Sequence, residues 1–343
     1  MSTGVLTQVE LMGIEDNMRS IVETEYDRLS LDQWWQRCTR VVPSKSRREI
    51  IMWLLSTAQI TRTGMSPNVP MHGLTMLDHV YENTFAREGI QIPRSEFEDA
   101  DGHGLDLAGS WTRDVSAAAA YFPQYEAAKL LMAGHTSGAL AYDGLPYFYA
   151  AHWLNPMNHG VGTYSNIISG VDISTAVTMD VAAEHLGKIF ASVAAIKMPN
   201  GLYPRKLRPE AIIAGSTLFP RVAQLTGAEF IAASSVGGGG GTSDIKGYLK
   251  GKLGYGDPNC ADELSGFESD TTFFVIAKQQ TSSQLGGLVY VEREPFHITF
   301  YTGEGGGTGA NVDLDRTDTL EWHIKGRNVP DYGHPYLIFK CTA

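Results

Sequence analysis

Residues 105–133, LDLAGSWTRDVSAAAAYFPQYEAAKLLMA, limit the possible folds more than any other stretch of this chain. Leu107, Trp111, Val115 and Phe122 set an apolar stripe at helical spacing, and Ala117 to Ala120 supply strong helix formers. A proline has no N–H to donate and its ring collides with the preceding turn. Pro123 is therefore expected to break or kink the helix, and to open a second segment ending near Gly134. β-prone segments stand on both sides of this helix without a regular βαβα alternation, so the class is α+β.

Upstream, residues 1–44 read as a polar, partly helical arm. Leu11, Ile14, Met18 and Ile21 recur at helical spacing, and a second helical patch runs from Leu31 to Cys38 with Trp34 and Trp35. The arm either folds on its own domain or reaches onto a neighbouring molecule. EIIMWLLSTAQI (49–60) is apolar, TRTGMSPNVPMHG is rich in turn formers, and Val80, Tyr81, Thr84, Phe85, Ile90 and Ile92 resume a β-prone pattern. This predicts strand, long excursion, strand: a protruding hairpin with little of its own to pack on and a polar, proline-bearing tip that discourages stray edge pairing.

Downstream, YDGLPYFYAAHWLNP (142–156) is aromatic, turn-rich and strand-like. Residues 175–196 predict a helix with Met179, Leu186, Phe190 and Val193 on one face. AIIAG (211–215) reads as a short buried strand, and STLFPRVAQLTG as a helix with Ser216 or Thr217 as its cap. Residues 232–270 are glycine-rich. Strands are expected at 271–278, 287–294, 297–303, 318–326 and 335–340.

At 343 residues the chain exceeds what one hydrophobic core serves, so two lobes or a core with long extensions are expected. Its 38 acids against 27 bases give a formal charge of −11, which argues against a protein that grips DNA through phosphates. It suits a wall that stands beside DNA without adhering to it. Cys38, Cys260 and Cys341 are odd in number and far apart, which points to free thiols in a reducing cytosol. The opening residues lack the apolar core of a signal peptide, and no stretch approaches the apolar length of a membrane span.

Tests for chemistry return nothing. Gly237 to Gly241 lead into TSDIKG without the GK[ST] spacing of a phosphate loop, and Gly251-Lys252 lacks the following hydroxyl residue. His72 and His79, and His152 and His159, are seven apart, and no HExxH is present. DADGHGLD (99–106) lacks the glutamate that closes a calcium loop. AGSTLF (214–219) misses the second glycine of a nucleophile elbow. Glu96/Glu98 and Asp313/Asp315 read as solvated carboxylates, and KSRR (45–48) as a solvated or inter-subunit patch. No catalytic, cofactor-binding or metal-ligating residue is assigned, and no cofactor.

The residues carry a family likeness nonetheless. From about residue 25 onward the chain resembles the major head subunit of Mu-like phages. RCTRVVPSKSRREIIMWL, GIQIPRSEFEDADG, AAAAYFPQYEAAKLLMAG, RPEAIIAGSTLF and WHIKGRNVPDYGHPYLIFK follow in that family's order. YDGLPYFYAAHWLNP resembles its Tyr-Asp-Gly, Phe, His-Pro loop, with Trp153 where the family often has proline.

The resemblance implies a Hong Kong 97-type capsid fold. In it, residues 1–45 are an N-terminal arm and 46–104 an extended hairpin loop. Residues 105–170 are a peripheral domain with a spine helix, 171–284 an axial domain, and 285–343 the strands that complete the peripheral domain. It further implies self-assembly into hexamers and pentamers around DNA, with scaffold, portal and possible cementing proteins as partners, and no membrane. Assembly in the host bacterial cytoplasm into a virion follows. An encapsulin-like nanocompartment, which shares the fold, is the alternative. Residues 232–256 are expected to let identical subunits fit fivefold and sixfold surroundings.

Overall fold

The computed structural model describes residues 8–54, 76–93, 95, 103–227, 231–232, 242–243, 253, 255–256, 258–279, 286–301 and 319–343. Both expectations for the glycine-rich segment and for the hairpin tip lie largely or wholly outside these residues.

The predicted long helix is α3, His103–Ala133, with α1 (Gln8–Ser30) packed along it. It runs on through Pro123 as one helix, so the second segment expected from the sequence does not form. A neighbouring side chain holds the turn next to the proline from outside. Gln33 Nε2 donates to the Ala120 carbonyl at 3.1 Å and to the Leu29 carbonyl at 2.7 Å, while its Oε1 accepts from Trp35 Nε1 at 2.6 Å. One buried amide thus ties α1, the short helix α2 (Trp35–Cys38) and the proline turn together.

Beneath α3 lies a four-stranded sheet in the order β1 (Thr39–Pro43), β13 (Leu288–Tyr301), β14 (Thr319–Tyr332), β4 (Thr84–Pro93). Here β1 runs parallel to β13 and the other pairings are antiparallel. At about 1.5 Å per helical residue and 3.3 Å per strand residue, the 31-residue helix and the 14-residue strands are each roughly 46 Å long. The period-2 pattern of β14 turns Leu320, Trp322 and Ile324 inward, where Ile298, Ile92, Val115, Ala119, Met18 and Val22 complete a core. Met18 and Val22 therefore seat α1 on its own body.

Two strands expected at 287–294 and 297–303 are one continuous β13. Its register against β14 shifts between Glu292 and Glu294 and again before His297, so bulges absorb Pro295, which has no N–H for the ladder.

The second sheet runs β11 (Asn259–Cys260), β8 (Leu207–Ala214), β12 (Phe273–Gln279), β15 (Ile338–Cys341), β7 (Ile167–Ile168). Both its faces are buried. Ile212, Ala214, Phe273, Val275 and Phe339 face one core with α4 (Met179–Ala194) and α5 (Phe219–Gly227). Ala211, Ile213, Phe274, Ile276 and Ile338 face another, with Ala127, Ala128 and Leu131 of α3. Near-continuous apolar strands such as FFVIA follow from this two-sided burial. The expected cap of α5 takes another form: Leu218 and Phe219 N–H groups donate to the Gly215 carbonyl, and the Ser216 hydroxyl donates to Ser265.

The 142–156 stretch is mostly turns rather than strand, with an isolated bridge between Leu140 and Pro146 and the two-residue β5 (His152–Trp153) pairing β6 (Thr163–Tyr164). Tyr147 is its anchor: fully buried, it donates to the Gly287 carbonyl at 2.7 Å. Asn166, also fully buried, uses its whole amide. Nδ2 donates to the Tyr147 and Pro335 carbonyls, and Oδ1 accepts from the Tyr149 N–H. This knot joins the two sheets.

Candidate functional site: the seat of the hairpin

The predicted hairpin is present as β2 (Arg48–Leu54) paired antiparallel with β3 (Met76–Glu82) in the register Arg48↔Glu82 to Leu54↔Met76. Chain alternation gives it two faces. Ile50, Met52, Met76 and Val80 are exposed on one. The other carries Trp53 and Tyr81, which are 3% and 0% exposed, on Val289 and Val291 of β13. The expectation that the hairpin has little to pack on is therefore corrected at its base: two aromatic anchors seat it on the long sheet.

Polar groups fix the orientation of this seat. Tyr81 Oη donates to the Tyr332 carbonyl at 3.0 Å. His79 Nε2 stands 3.5 Å from Asp331 Oδ2. At the point where the chain enters and leaves the hairpin, Asn83 Nδ2 donates to Ser44 Oγ (3.1 Å) and the Ser46 carbonyl (3.0 Å). Its backbone N–H donates to the Arg47 carbonyl, and the Ser44 hydroxyl donates to Glu49 Oε2 at 2.9 Å. Arg47 and Arg48 of the predicted basic run both face Glu82 across the ribbon.

Trp53 rests edge-on against His334, with ring centroids 4.2 Å apart, and Tyr142 and Tyr336 flank the same imidazole. Both His334 nitrogens are buried and lack a hydrogen-bond partner among the described residues. Burial, followed by the charges of Arg205 and Arg40, lowers its pKa to about 3, so the ring is neutral. Arg205 lies 3.8 Å over the Tyr336 ring. The seat is thus aromatic, around a buried imidazole without a hydrogen-bond partner among the described residues.

The other residues weighed from sequence do not converge. His152 is buried between Asp143 (2.7 Å) and the Tyr147 carbonyl (3.0 Å), so neither ring nitrogen faces open space. His159 stacks on Trp153 at 4.0 Å. His72, Glu96, Glu98, Asp313, Asp315 and the Gly237–Gly241 run lie outside the described residues. No group of three or more metal-ligating side chains occurs among the described residues. All three cysteines are free; burial pushes Cys38 up to about 12 and Cys260 up to about 11, Asp262 adding to the latter, and Cys341 higher still. No helix of the described residues is long and apolar enough to cross a membrane. Sequence reasoning missed Gln33, Asn83, Asn166 and His334, because each is a lone polar residue whose partners are remote in sequence.

A long helix on a four-stranded sheet, a seated hairpin and a second, two-sided sheet are the parts of a Hong Kong 97-type fold. Two solved structures share this architecture. The procapsid of bacteriophage JBD30 aligns with a TM-score of 0.50 at 14% identity, over 98% of this chain and 76% of that one. The capsid of cyanophage P-SCSP1u aligns with a TM-score of 0.53 at 13% identity, over 91% of this chain and 88% of that one. No curated protein sequence matches. The pattern of the Mu-like prophage major head subunit gpT matches residues 16–234, and the chain belongs to that family. It is a phage major head (capsid) subunit.

Proposed function

We propose that this chain closes into an icosahedral shell of hexamers and pentamers that encloses double-stranded DNA, with no catalytic role. The observation that supports this most is the seated hairpin. Trp53 and Tyr81 fix its root to the body while Ile50, Met52, Val80 and Met76 stay exposed on the opposite face, an apolar surface suited to burial by other subunits. In this reading the arm is 1–45, the hairpin region 46–104, the peripheral domain 105–170 completed by 285–343, and the axial domain 171–284. Scaffold and portal proteins, and cementing proteins where present, are its partners. Assembly takes place in the host bacterial cytoplasm.

The net charge of −11 keeps the wall from binding the packaged DNA. Residues 232–256 adapt the subunit to fivefold and sixfold surroundings; rigid superposition of that segment among all independent subunits would refute this. The family favours a head over an enzyme-filled nanocompartment. Negative-stain microscopy of the protein expressed alone is expected to show closed shells of uniform size. Tubes, rings or monomers would overturn the reading. Deleting residues 61–72 is expected to leave a folded monomer that does not assemble, and intact particles eluting from a sizing column would refute that.

A further inference from the structure

The turn that leads from α4 into β8 carries an exposed apolar tip on a firmly held backbone. Lys197 and Pro204 form an isolated bridge across it. Inside that bridge the Met198 N–H donates to the Tyr203 carbonyl and the Gly201 N–H to the Met198 carbonyl, each at 2.8 Å. Asn200 Oδ1 accepts from the Leu202 N–H at 3.0 Å. Gly201 has φ +71°, and a Cβ there would lie 2.8 Å from Val161 Cγ1, so the turn is pressed onto the loop before β6. Yet Leu202 is 66% and Tyr203 52% exposed. An aliphatic and an aromatic side chain on a rigid backbone have the form of a binding anchor, because little conformational freedom is lost when they dock.

Beside this turn lies an open groove of about 620 Å³ between β6–β7 and the C-terminal end of α4. Leu154, Val161, Ile167, Ile168 and Ile196 give it apolar walls. Thr163 and Ser169 add hydroxyl groups, and Lys197 is the one charged side chain among its described lining residues. The groove runs along β7, the edge strand of the five-stranded sheet. Val161 belongs to both features, since it lines the groove and supports Gly201. The exposure of Leu202 and Tyr203 shows that the tip does not fill the groove of its own molecule.

We propose that the Leu202–Tyr203 tip of one copy of this chain docks in the groove of the next copy. Two observations select that occupant. The chemistry of the tip matches that of the groove: leucine and the phenol ring suit the aliphatic walls, and the Tyr203 hydroxyl suits the Thr163 and Ser169 hydroxyls at their margin. The positions also match. A patch and its complement on one chain make a head-to-tail contact, the kind that closes into rings. Tip and groove meet at Val161, as at the narrow end of a wedge, where each copy around an axis touches two neighbours. Nucleic acid is the weaker occupant, since a groove with one cation releases few counterions. The inference rests on the head-subunit reading and names a contact between neighbours within one ring.

The test uses the full chain as wild type, as L202D/Y203D, which spoils the tip, and as A195W, which fills the groove. Ala195 lines the groove and is exposed, so the larger side chain does not load the core. Sedimentation velocity at low and physiological salt reads self-association, and thermal melting reads the fold. Wild type is expected to associate, and added salt should not weaken an apolar contact. Each variant alone is expected to associate about tenfold or more weakly. Mixed together they should recover one contact and give dimers, because A195W keeps its tip and L202D/Y203D keeps its groove. Melting of both should match wild type; were A195W to unfold, S192W, at another exposed lining residue, is read in the same way. Unchanged association of L202D/Y203D, no dimer in the mixture, or a wild type that stays monomeric at every salt concentration overturns the proposal. So does an association lost in A195W alone, which would give the groove to another segment. Wild-type rings that need the tip but never close into shells leave the contact standing and refute the shell.

Discussion

The two sheets of this protein are finished to different degrees. Strands β7, β8, β12 and β15 of the five-stranded sheet contribute to a core on each face, and β12 and β15 are buried almost throughout. The four-stranded sheet is covered on one face by α1 and α3, and on the other, among the described residues, where Trp53 and Tyr81 sit. Apolar burial is the main source of folding free energy, so the first sheet, with a core on each face, is the more strongly held. The second presents a face that remains to be covered, and its alternation of inward Leu320, Trp322, Ile324 with outward Glu321, His323, Lys325 keeps that face polar enough to stay in solution meanwhile. A subunit that must exist before assembly needs one lobe of each kind.

If this contrast is correct, damage to the two regions should read out differently. The largest effect is expected at Phe339 of β15, fully buried in the core that α4 and α5 close. F339A should cost about 4 kcal/mol of global stability in urea unfolding, from lost burial and the cavity left behind. Trp53 is nearly as buried, yet it anchors only the hairpin. W53A should cost about 3 kcal/mol locally, seen as faster hydrogen exchange across 48–54 and 76–82, with the unfolding midpoint of the five-stranded lobe little changed. Equal global losses from the two variants would show that the molecule is one cooperative unit and the contrast false.

His334 sharpens the contrast further, because it lies under Trp53 and has no hydrogen-bond partner among the described residues. Its folded pKa of about 3 lies below the unfolded value, so the unfolded chain binds the extra proton between about pH 6.5 and 3. Stability is therefore lost as pH falls through that window. At about 1.4 kcal/mol per unit, the loss is roughly 2 kcal/mol at pH 5. Comparing wild type with H334F at pH 7 and pH 5 checks it: the variant should lack this part of the acid sensitivity. Exchange protection of β2 and β3 should fall before that of β12.

Much of this architecture was legible in the residues, and the failures have physical causes. The α+β class, α3, the hairpin and β8 follow from apolar period and turn chemistry, which are local signals. Pro123 misled because contacts remote in sequence hold that turn from outside, among them Gln33, which lies 87 residues before Ala120 in the chain. The split of β13 misled because a bulge can carry Pro295 through a strand that local rules would end. The seat was invisible for the same reason: Trp53, Tyr81, Tyr142 and His334 come from four separate segments, and only the register of β2 on β3 reveals that two of them share a face.

The smallest expected effect concerns Asn83, where the hairpin leaves the body. N83A removes two donated hydrogen bonds, to Ser44 Oγ and the Ser46 carbonyl, each worth about 1 kcal/mol net. It also removes Oδ1, a buried acceptor with no partner among the described residues, and that omission offsets part of the loss. The backbone N–H bond to Arg47 is unaffected. The balance is about 1 kcal/mol, confined to the turn that carries the hairpin. N83D keeps the shape but places a carboxylate where a donor is needed, facing the Ser46 carbonyl and close to Glu49, which Ser44 also contacts. It should cost more than the alanine. Hydrogen exchange at Arg47–Glu49 and Glu82–Thr84 ranks the two variants. If alanine proves as damaging as aspartate, the clasp acts through its volume and not through donated hydrogen bonds, and the hairpin is positioned by its aromatic anchors alone.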